Sequence, residues 1–175
     1  MGLKPTFSTW SQVTMLHMFM FLVRFRCFSE RDAKLLQQNM VDHFFYDAED
    51  RMVLNHRMNA RGTRNKYLKD IFLQWRGCVA AYDEGIIRGD TFLAAAIWRN
   101  VFKADEDIDF GKLALTVSYV RRFLSTLDKL SDDDIIAADV ELTHPREEFT
   151  LVGSRSKLLS QQLEKTPPKG AAAKA

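Results

Sequence analysis

The chain has few groups suited to covalent cross-links or catalysis. Its 175 residues include only two cysteines, Cys27 and Cys78, which lie far apart. No second thiol or histidine stands at metal-ligand spacing from either cysteine, which argues against a disulfide framework and is compatible with a reducing compartment. The four histidines are scattered along the chain: His17, His43, His56 and His144. Nucleophile–base signatures and glycine-rich phosphate loops are also missing. We therefore expect no catalysis, no metal site and no cofactor.

The best acidic pair is no stronger as a catalytic signal. Asp83 and Glu84 are adjacent in the chain. Neighbouring side chains on a helix point about 100° apart, so the two carboxylates are poorly placed to act together. We expect Asp83 to form an ion pair with an arginine across helices instead, for example Arg99 or Arg24.

A membrane-spanning segment is not predicted either. The longest apolar run, Val13 to Val23, contains His17 and is followed by Arg24 and Arg26. A spanning helix needs about 20 apolar residues, so this run is too short. The opening residues resemble neither a signal peptide nor a transit helix, and we expect any targeting segment to lie outside this chain.

The formal net charge of +2 conceals two segments of opposite sign. From Asp132 to Glu141 the chain carries five acidic residues and no basic one. An earlier segment carries six basic residues and no acidic one. These are Arg51, Arg57, Arg61, Arg64, Lys66 and Lys69. Such a basic segment suits contact with RNA or anionic lipid, although a solvated basic loop is an equally good interpretation.

The hydrophobic pattern has helical periodicity and predicts an all-α fold, a single compact domain of about five to six helices over residues 1–142. The predicted helix starts are Thr9, Ser29, Thr63, Asp90, Asp109 and Ser131, with Gly89 ending the third helix. On the second helix Ala33, Leu36, Met40, Val41 and Phe44 are predicted to face the core. The third has the strongest period: Leu68, Ile71, Phe72, Trp75, Val79, Tyr82 and Ile86. Leu93, Ile97, Trp98, Val101 and Phe102 should face inward on the fourth. Within the third helix, Gly77 marks either a close backbone approach or a position where the helix simply tolerates a glycine.

Residues 143–175 are predicted to form a mostly disordered, mildly basic tail, with a transient amphipathic turn or two at 154–163.

The first helix is apolar on nearly every side, so it is predicted to be either the central helix or one partly covered by a partner. Its narrow polar stripe contains Trp10, His17 and Arg24. Met15, Met18 and Met20 are either adaptable core residues or the lining of a groove for apolar client segments. His17 is more simply a satisfied buried group than a ligand, whereas Arg24 needs an acidic partner or access to water.

At these residues the sequence resembles the ubiquinol–cytochrome c chaperone family. The resemblance rests on the order and spacing of several short matches and extends roughly from Pro5 to Leu142. They are Trp10, Leu16-His17, Leu22-Val23-Arg24, Ala81-Tyr82-Asp83-Glu84-Gly85, Asp90, Leu93-Ala94-Ala95-Ala96-Ile97-Trp98-Arg99-Asn100 and Tyr119-Val120-Arg121.

The resemblance implies a helical chaperone for respiratory complex III in mitochondria, on the matrix side and peripherally associated with the inner membrane. It implies three partners: a small helical assembly factor, newly synthesised cytochrome b, and the mitochondrial ribosome near its tunnel exit. Residues expected to form or support the partner- and client-binding surface are Trp10, His17, Arg24, Tyr82, Asp83, Trp98 and Arg99. The alternative is a general helical adaptor that tethers the ribosome or inner membrane through the basic segment, contacting ribosomal RNA or lipid without holding a client.

Overall fold

Helices account for all the regular structure that the computed structural model contains between residues 3 and 153, the residues it describes. In chain order they are α1 (Phe7–Phe25), α2 (Glu30–Leu54), α3 (Arg61–Arg88), α4 (Asp90–Asn100), α5 (Phe110–Lys129) and α6 (Asp132–Ile136). A 3₁₀ turn (Pro145–Glu148) and α7 (Phe149–Gly153) follow. The all-α prediction is confirmed.

Three of the predicted helix starts are confirmed by side-chain caps. Ser29, Asp109 and Ser131 each accept a hydrogen bond from a backbone N–H in the first turn of the helix that follows. Ser131 and Asp134 form a reciprocal capping box, as the serine before three aspartates indicated.

The other three starts were wrong by one to three residues. α1 is capped by Thr6, whose Oγ1 accepts from the Thr9 N–H at 3.1 Å. α3 begins at Arg61, before Thr63, and no side chain caps its start. The Arg64 guanidinium holds the preceding turn by donating to the Met58 and Asn59 carbonyl oxygens. α4 is preceded by Gly89 rather than capped by Asp90; with a φ of 109°, Gly89 both ends α3 and begins α4.

The core is built around α1. Met15, Phe19 and Met20 are 0% exposed and Met18 is buried. α1 packs against α2, α3 and α5, so its apolar sides are covered within the chain. The central-helix prediction is therefore confirmed, the methionines are core residues, and the alternative that they line a client groove is wrong.

α3 and α4 approach each other closely at Gly85. A Cβ atom at this position would lie 2.6 Å from the Leu93 Cα and 2.9 Å from its nitrogen. At Gly77, by contrast, a Cβ would meet no atom within 4 Å. The close approach therefore falls at Gly85, and Gly77 is merely tolerated.

Residues 144–153, here called the C-terminal strap, pack on α5 rather than joining a tail from residue 143. Glu148 is 3% exposed, contacts the Arg122 guanidinium, and accepts from the Ser118 hydroxyl at 2.6 Å. Arg122 also pairs with Glu147 at 2.9 Å. The rest of the predicted tail, including the turn at 154–163, lies outside the described residues.

We expect Glu148→Ala to release the strap, since it leaves Arg122 and Ser118 without their buried acceptor. Limited proteolysis should then cut residues 144–153 several-fold faster, whereas Glu141→Ala, an exposed acid outside the strap, should leave the rate unchanged. Equal cleavage of both variants at neutral pH would contradict this role of Glu148.

The neighbouring Glu147 makes the strap sensitive to pH. Hydrogen bonds from the His144 N–H and the Arg122 side chain lower the pKa of Glu147. The stabilisation that Glu147 gives is therefore fully present above its ordinary pKa and is lost as the pH falls through the lowered pKa.

Candidate binding surfaces

The polar stripe of α1 is largely used inside the molecule. Trp10 stacks on Phe44 with ring centroids 5.6 Å apart and is covered by the Arg51 guanidinium at 4.3 Å. His17 Nδ1 lies 2.8 Å from the Val13 carbonyl oxygen and Nε2 2.8 Å from the Tyr119 hydroxyl. The carbonyl can only accept, so Nδ1 donates and Nε2 accepts from Tyr119. As predicted, His17 is a satisfied, partly buried group.

Arg24 holds the C-terminal end of α5. Its guanidinium donates to the carbonyl oxygens of Leu127 at 3.1 Å and Leu130 at 3.0 Å. It also pairs with Asp132, at 2.5 Å, at the start of α6. The Arg24 side chain is 10% exposed and that of Asp132 is 57% exposed. Arg24 therefore joins α1 to the α5–α6 corner and offers little surface to a partner.

Tyr82 is completely buried and can only support a surface from below. It lies against Phe19, with ring centroids 5.3 Å apart, and near the thiol of Cys78. Burial raises the pKa of Tyr82, and it raises the pKa of Cys78 to about 11. Both groups therefore stay protonated at neutral pH, and Cys78 is an inert core thiol.

Asp83 pairs with neither of its two predicted partners. It accepts two hydrogen bonds from Arg26, at 2.7 and 2.9 Å. Arg24 is engaged at the α5–α6 corner, and Arg99 is exposed without an ion pair in the part of the chain that the structure covers. The predicted pairing of Asp83 with an arginine is confirmed, but neither of the two suggested partners was right, because Arg26 lies just beyond α1, where helical spacing no longer fixes a side chain's direction.

We expect Asp83→Asn to lower the free energy of unfolding by no more than about 1 kcal/mol, because the Asp83–Arg26 pair is partly exposed to solvent. Thermal melting with and without 0.5 M salt checks this, since a solvated pair is already weak in salt. A loss several times larger would show that the pair is effectively buried.

Trp98 lies at the margin of the core, not inside it as predicted. Its indole N–H donates to the Asp105 carbonyl oxygen at 2.8 Å. Beside it is an apolar cleft of about 310 Å³, here called the α4–α5 cleft. Its lining is Ala95, Trp98, Asp105, Glu106, Ile108, Phe110 and Leu113. Phe110 is 77% exposed, so this cleft offers accessible aromatic surface.

The basic segment divides into two groups. Arg51 pairs with Asp47 and covers Trp10, while Arg64 pairs with Glu49 and holds the turn before α3. The other four, Arg57, Arg61, Lys66 and Lys69, are exposed and form no ion pair between residues 3 and 153. Only these four remain available to an external anion.

A larger groove runs between α2 and α3 and was missed from the sequence. It measures about 920 Å³ and is lined by Arg31, Lys34, Leu35, Gln37, Gln38, Val41, Phe72, Trp75 and Arg76. Phe72 was predicted to face the core but is exposed, as is Leu35. The sequence feature that could have revealed this groove is the weak hydrophobic periodicity of α2. The helix places both apolar and polar residues on the side that meets α3.

The seven predicted binding residues thus do not form one surface. Trp10 lies on the α1–α2 side, His17 against Tyr119 of α5, and Arg24 at the α5–α6 corner. Tyr82 is in the core, Asp83 pairs with Arg26, Trp98 lines the α4–α5 cleft, and Arg99 is exposed on α4 outside the lining of that cleft. Between residues 3 and 153, no group of three or more metal-ligating side chains comes together. Over the same span, no helix has the length and apolar character needed to cross a membrane.

Comparison with known proteins identifies the family. The model of the ubiquinol–cytochrome C chaperone family matches residues 1–142, which include α1 to α6. The chain belongs to the ubiquinol–cytochrome c chaperone family. The resemblance noted from Trp10 to Arg121 is therefore confirmed.

Several curated relatives agree. Protein CBP3, mitochondrial, of Saccharomyces cerevisiae is 36% identical over 143 residues, covering 82% of this chain and 43% of that protein. Ubiquinol-cytochrome c reductase complex assembly factor 1 of Drosophila melanogaster is 32% identical, covering 77% of this chain and 52% of that protein. The Xenopus laevis protein of the same name is 35% identical, covering 77% of this chain and 66% of that protein. The chain thus spans about half the length of these relatives, and no solved structure matches it significantly.

Four of the short matches by which the chain resembles the ubiquinol–cytochrome c chaperone family now have a structural reason. Gly85 and Leu93 lie at the closest approach of α3 and α4, where any side chain on the glycine would meet backbone. Arg121 donates to the Gly85 and Ile86 carbonyl oxygens and pairs with Asp90 at 2.8 Å. These residues therefore fix the α3–α4–α5 corner.

Proposed function

We propose that this chain is a mitochondrial assembly chaperone for respiratory complex III that holds newly synthesised cytochrome b. The observation that carries the proposal is the family match over residues 1–142, together with relatives named as ubiquinol–cytochrome c reductase complex assembly factors. Holding a client is a binding task and requires accessible apolar surface rather than catalytic groups. We place the protein on the matrix side, peripherally associated with the inner membrane.

The α4–α5 cleft is the proposed client surface. Cytochrome b is a multi-span membrane protein, so a factor that holds it must cover apolar segments and also meet their charged ends. Trp98 and Phe110 supply aromatic surface, and exposed aromatic residues are frequent anchors of binding energy. Arg99 follows Trp98 on α4 and is exposed outside the lining of the cleft, and it forms no ion pair between residues 3 and 153, so we assign it to an anionic loop of the client. Trp98 and Arg99 also belong to one of the stretches shared with the family.

The remaining proposed partners are a small helical assembly factor and the mitochondrial ribosome near its tunnel exit. The four exposed cations, Arg57, Arg61, Lys66 and Lys69, are the groups we assign to ribosomal RNA or anionic lipid, because none of them forms an ion pair within residues 3–153. Arg51 and Arg64 are assigned structural roles.

The test uses yeast mitochondria that lack Protein CBP3 and import this chain behind a targeting segment. We expect radiolabelled, newly made cytochrome b to co-purify with the chain and complex III to recover on native gels. Phe110→Ser should reduce the bound cytochrome b by about tenfold, the effect of losing one aromatic anchor. The matched control is Phe149→Ser, since Phe149 is 70% exposed but lies in the strap, outside the family match. Recovery of complex III without any bound cytochrome b would overturn the client assignment.

The second candidate function is a helical adaptor that tethers the ribosome or inner membrane without holding a client. The four unpaired cations favour it. Salt separates the two: an electrostatic tether dissociates steeply as salt is raised, whereas a complex held by apolar burial survives moderate salt. Loss of all bound proteins at 0.3 M salt would favour the adaptor.

A further inference from the structure

The N-terminal half of α2 is poorly covered by the rest of the chain. The buried side chains of α2 are Phe44, Ala48 and Met52, all in its second half. The apolar residues predicted to face the core from the first half, such as Leu36, Met40 and Val41, are only half-buried. This half of the helix therefore has an apolar side without a complete partner.

The α2–α3 groove, about 920 Å³ in volume, follows that side. Its floor is apolar, formed by Val41, Phe72 and Trp75, with the exposed Leu35 at its edge. An α-helix with its side chains is about 10 Å across and fills a groove between two helices, whereas a flat lipid surface does not reach the floor of a concave site.

The rim of the groove is cationic. Arg31, Lys34 and Arg76 line it. Lys34 pairs with Glu30 one turn away, but Arg31 and Arg76 form no ion pair anywhere in residues 3–153. Two exposed arginines beside an apolar floor favour carboxylates on whatever binds there.

The charges also discriminate among possible occupants. The C-terminal segment of this same chain, residues 154–175, carries Arg155, Lys157, Lys165, Lys169 and Lys174 against the single acid Glu164. Such a segment would be repelled by the rim. A nucleic acid would meet apolar side chains where it needs cations, since the floor offers no charge.

We propose that the α2–α3 groove binds an amphipathic helix of a partner protein whose apolar face is flanked by carboxylates. The proposal deepens the proposed function and rests on it only for the setting in which such a partner is met. The binding itself depends on Leu35, Phe72, Arg31 and Arg76.

The experiment measures the affinity of the purified chain for two fluorescent peptides of about 20 residues, long enough to form several helical turns. Both have the same leucine face; one carries glutamates along its flanks and the other lysines. We expect the glutamate peptide to bind at least about tenfold more tightly, since its flanks meet the arginines. The double variant Arg31→Glu/Arg76→Glu should reverse this preference. Both arginines are exposed and unpaired, so the variant is expected to fold, and its melting temperature checks this.

The matched control is Arg57→Glu/Arg61→Glu, two exposed cations that do not line the groove. It should leave the preference for the glutamate peptide unchanged. Equal affinity for both peptides, or an equal loss in both double variants, would overturn the proposal. So would displacement of the peptide by phosphatidylserine vesicles, which would make the groove a membrane contact. Dimerisation of the chain in sedimentation that is lost in Arg31→Glu/Arg76→Glu would also overturn it, because the groove would then be a self-association site. Because these measurements need no cytochrome b, their failure is distinct from failure of the complex III assay.

Discussion

Gly85→Ala is expected to destabilise the protein by about 3 kcal/mol, among the largest effects of a single added methyl group. The new Cβ would lie 2.6 Å from the Leu93 Cα and 2.9 Å from its backbone nitrogen. Backbone atoms cannot rotate away as a flexible side chain can, so α3 and α4 must separate. That separation also weakens the hydrogen bonds that Arg121 donates to the carbonyl oxygens of Gly85 and Ile86.

Gly77→Ala in the same helix is the matched control. It adds the same methyl group where no atom lies within 4 Å, so we expect stability to rise by up to about 1 kcal/mol through helix propensity alone. Chemical denaturation of the two variants side by side measures both. A Gly85→Ala variant that is as stable as the unsubstituted protein, or more stable, would show that α3 and α4 pack less closely than the structure indicates.

Arg24→Glu is expected to cost about 3 kcal/mol, because it replaces a cation that satisfies two carbonyl oxygens with a buried carboxylate that repels them. The loss of the pair with Asp132 adds little, since that aspartate is largely exposed. The melting temperature should fall, and any partner binding should fall with it. Arg24→Lys should recover part of the stability, because it restores the charge but not both hydrogen bonds.

Arg99→Glu is the comparison that separates structure from recognition. Arg99 is exposed and unpaired within residues 3–153, so its reversal should change stability by no more than about 0.5 kcal/mol. If Arg99 meets the client, cytochrome b binding should fall while the melting temperature stays constant. If Arg24→Glu instead gave that result, Arg24 would be a recognition residue and the structural assignment would be wrong.

The number and order of the main helices followed from hydrophobic spacing, because burial of one helix face leaves a clear trace in the sequence. Ser29, Asp109 and Ser131 were correctly predicted as helix starts for a related reason. A capping side chain accepts a hydrogen bond from a residue two or three positions later, so the cap is a local feature of the sequence. Thr9 and Thr63 were not the caps: Thr6 caps α1, and α3 begins without any side-chain cap, after a turn that the Arg64 guanidinium holds by donating to the Met58 carbonyl oxygen.

Tertiary detail did not follow from the sequence in the same way. Periodicity indicates which side of α3 is buried but not where a neighbour comes near, so a close approach was considered at Gly77 and not at Gly85, where it occurs. Likewise, it placed Phe72 among the core residues, although that side chain borders the α2–α3 groove. The groove itself depends on the angle between two helices, which the spacing of either helix alone does not determine.

The central place of α1 has a consequence for the order of folding. Its contacts with α5 join residues about a hundred positions apart, as in His17 with Tyr119 and Arg24 with Leu127. A chain emerging from a ribosome or a translocation pore therefore exposes its most apolar helix well before α5 arrives to cover it. Until then its apolar side chains are open to other chains, and such partly folded species are prone to aggregate. A protein of a chaperone family is thus itself expected to need protection while it is being made or imported.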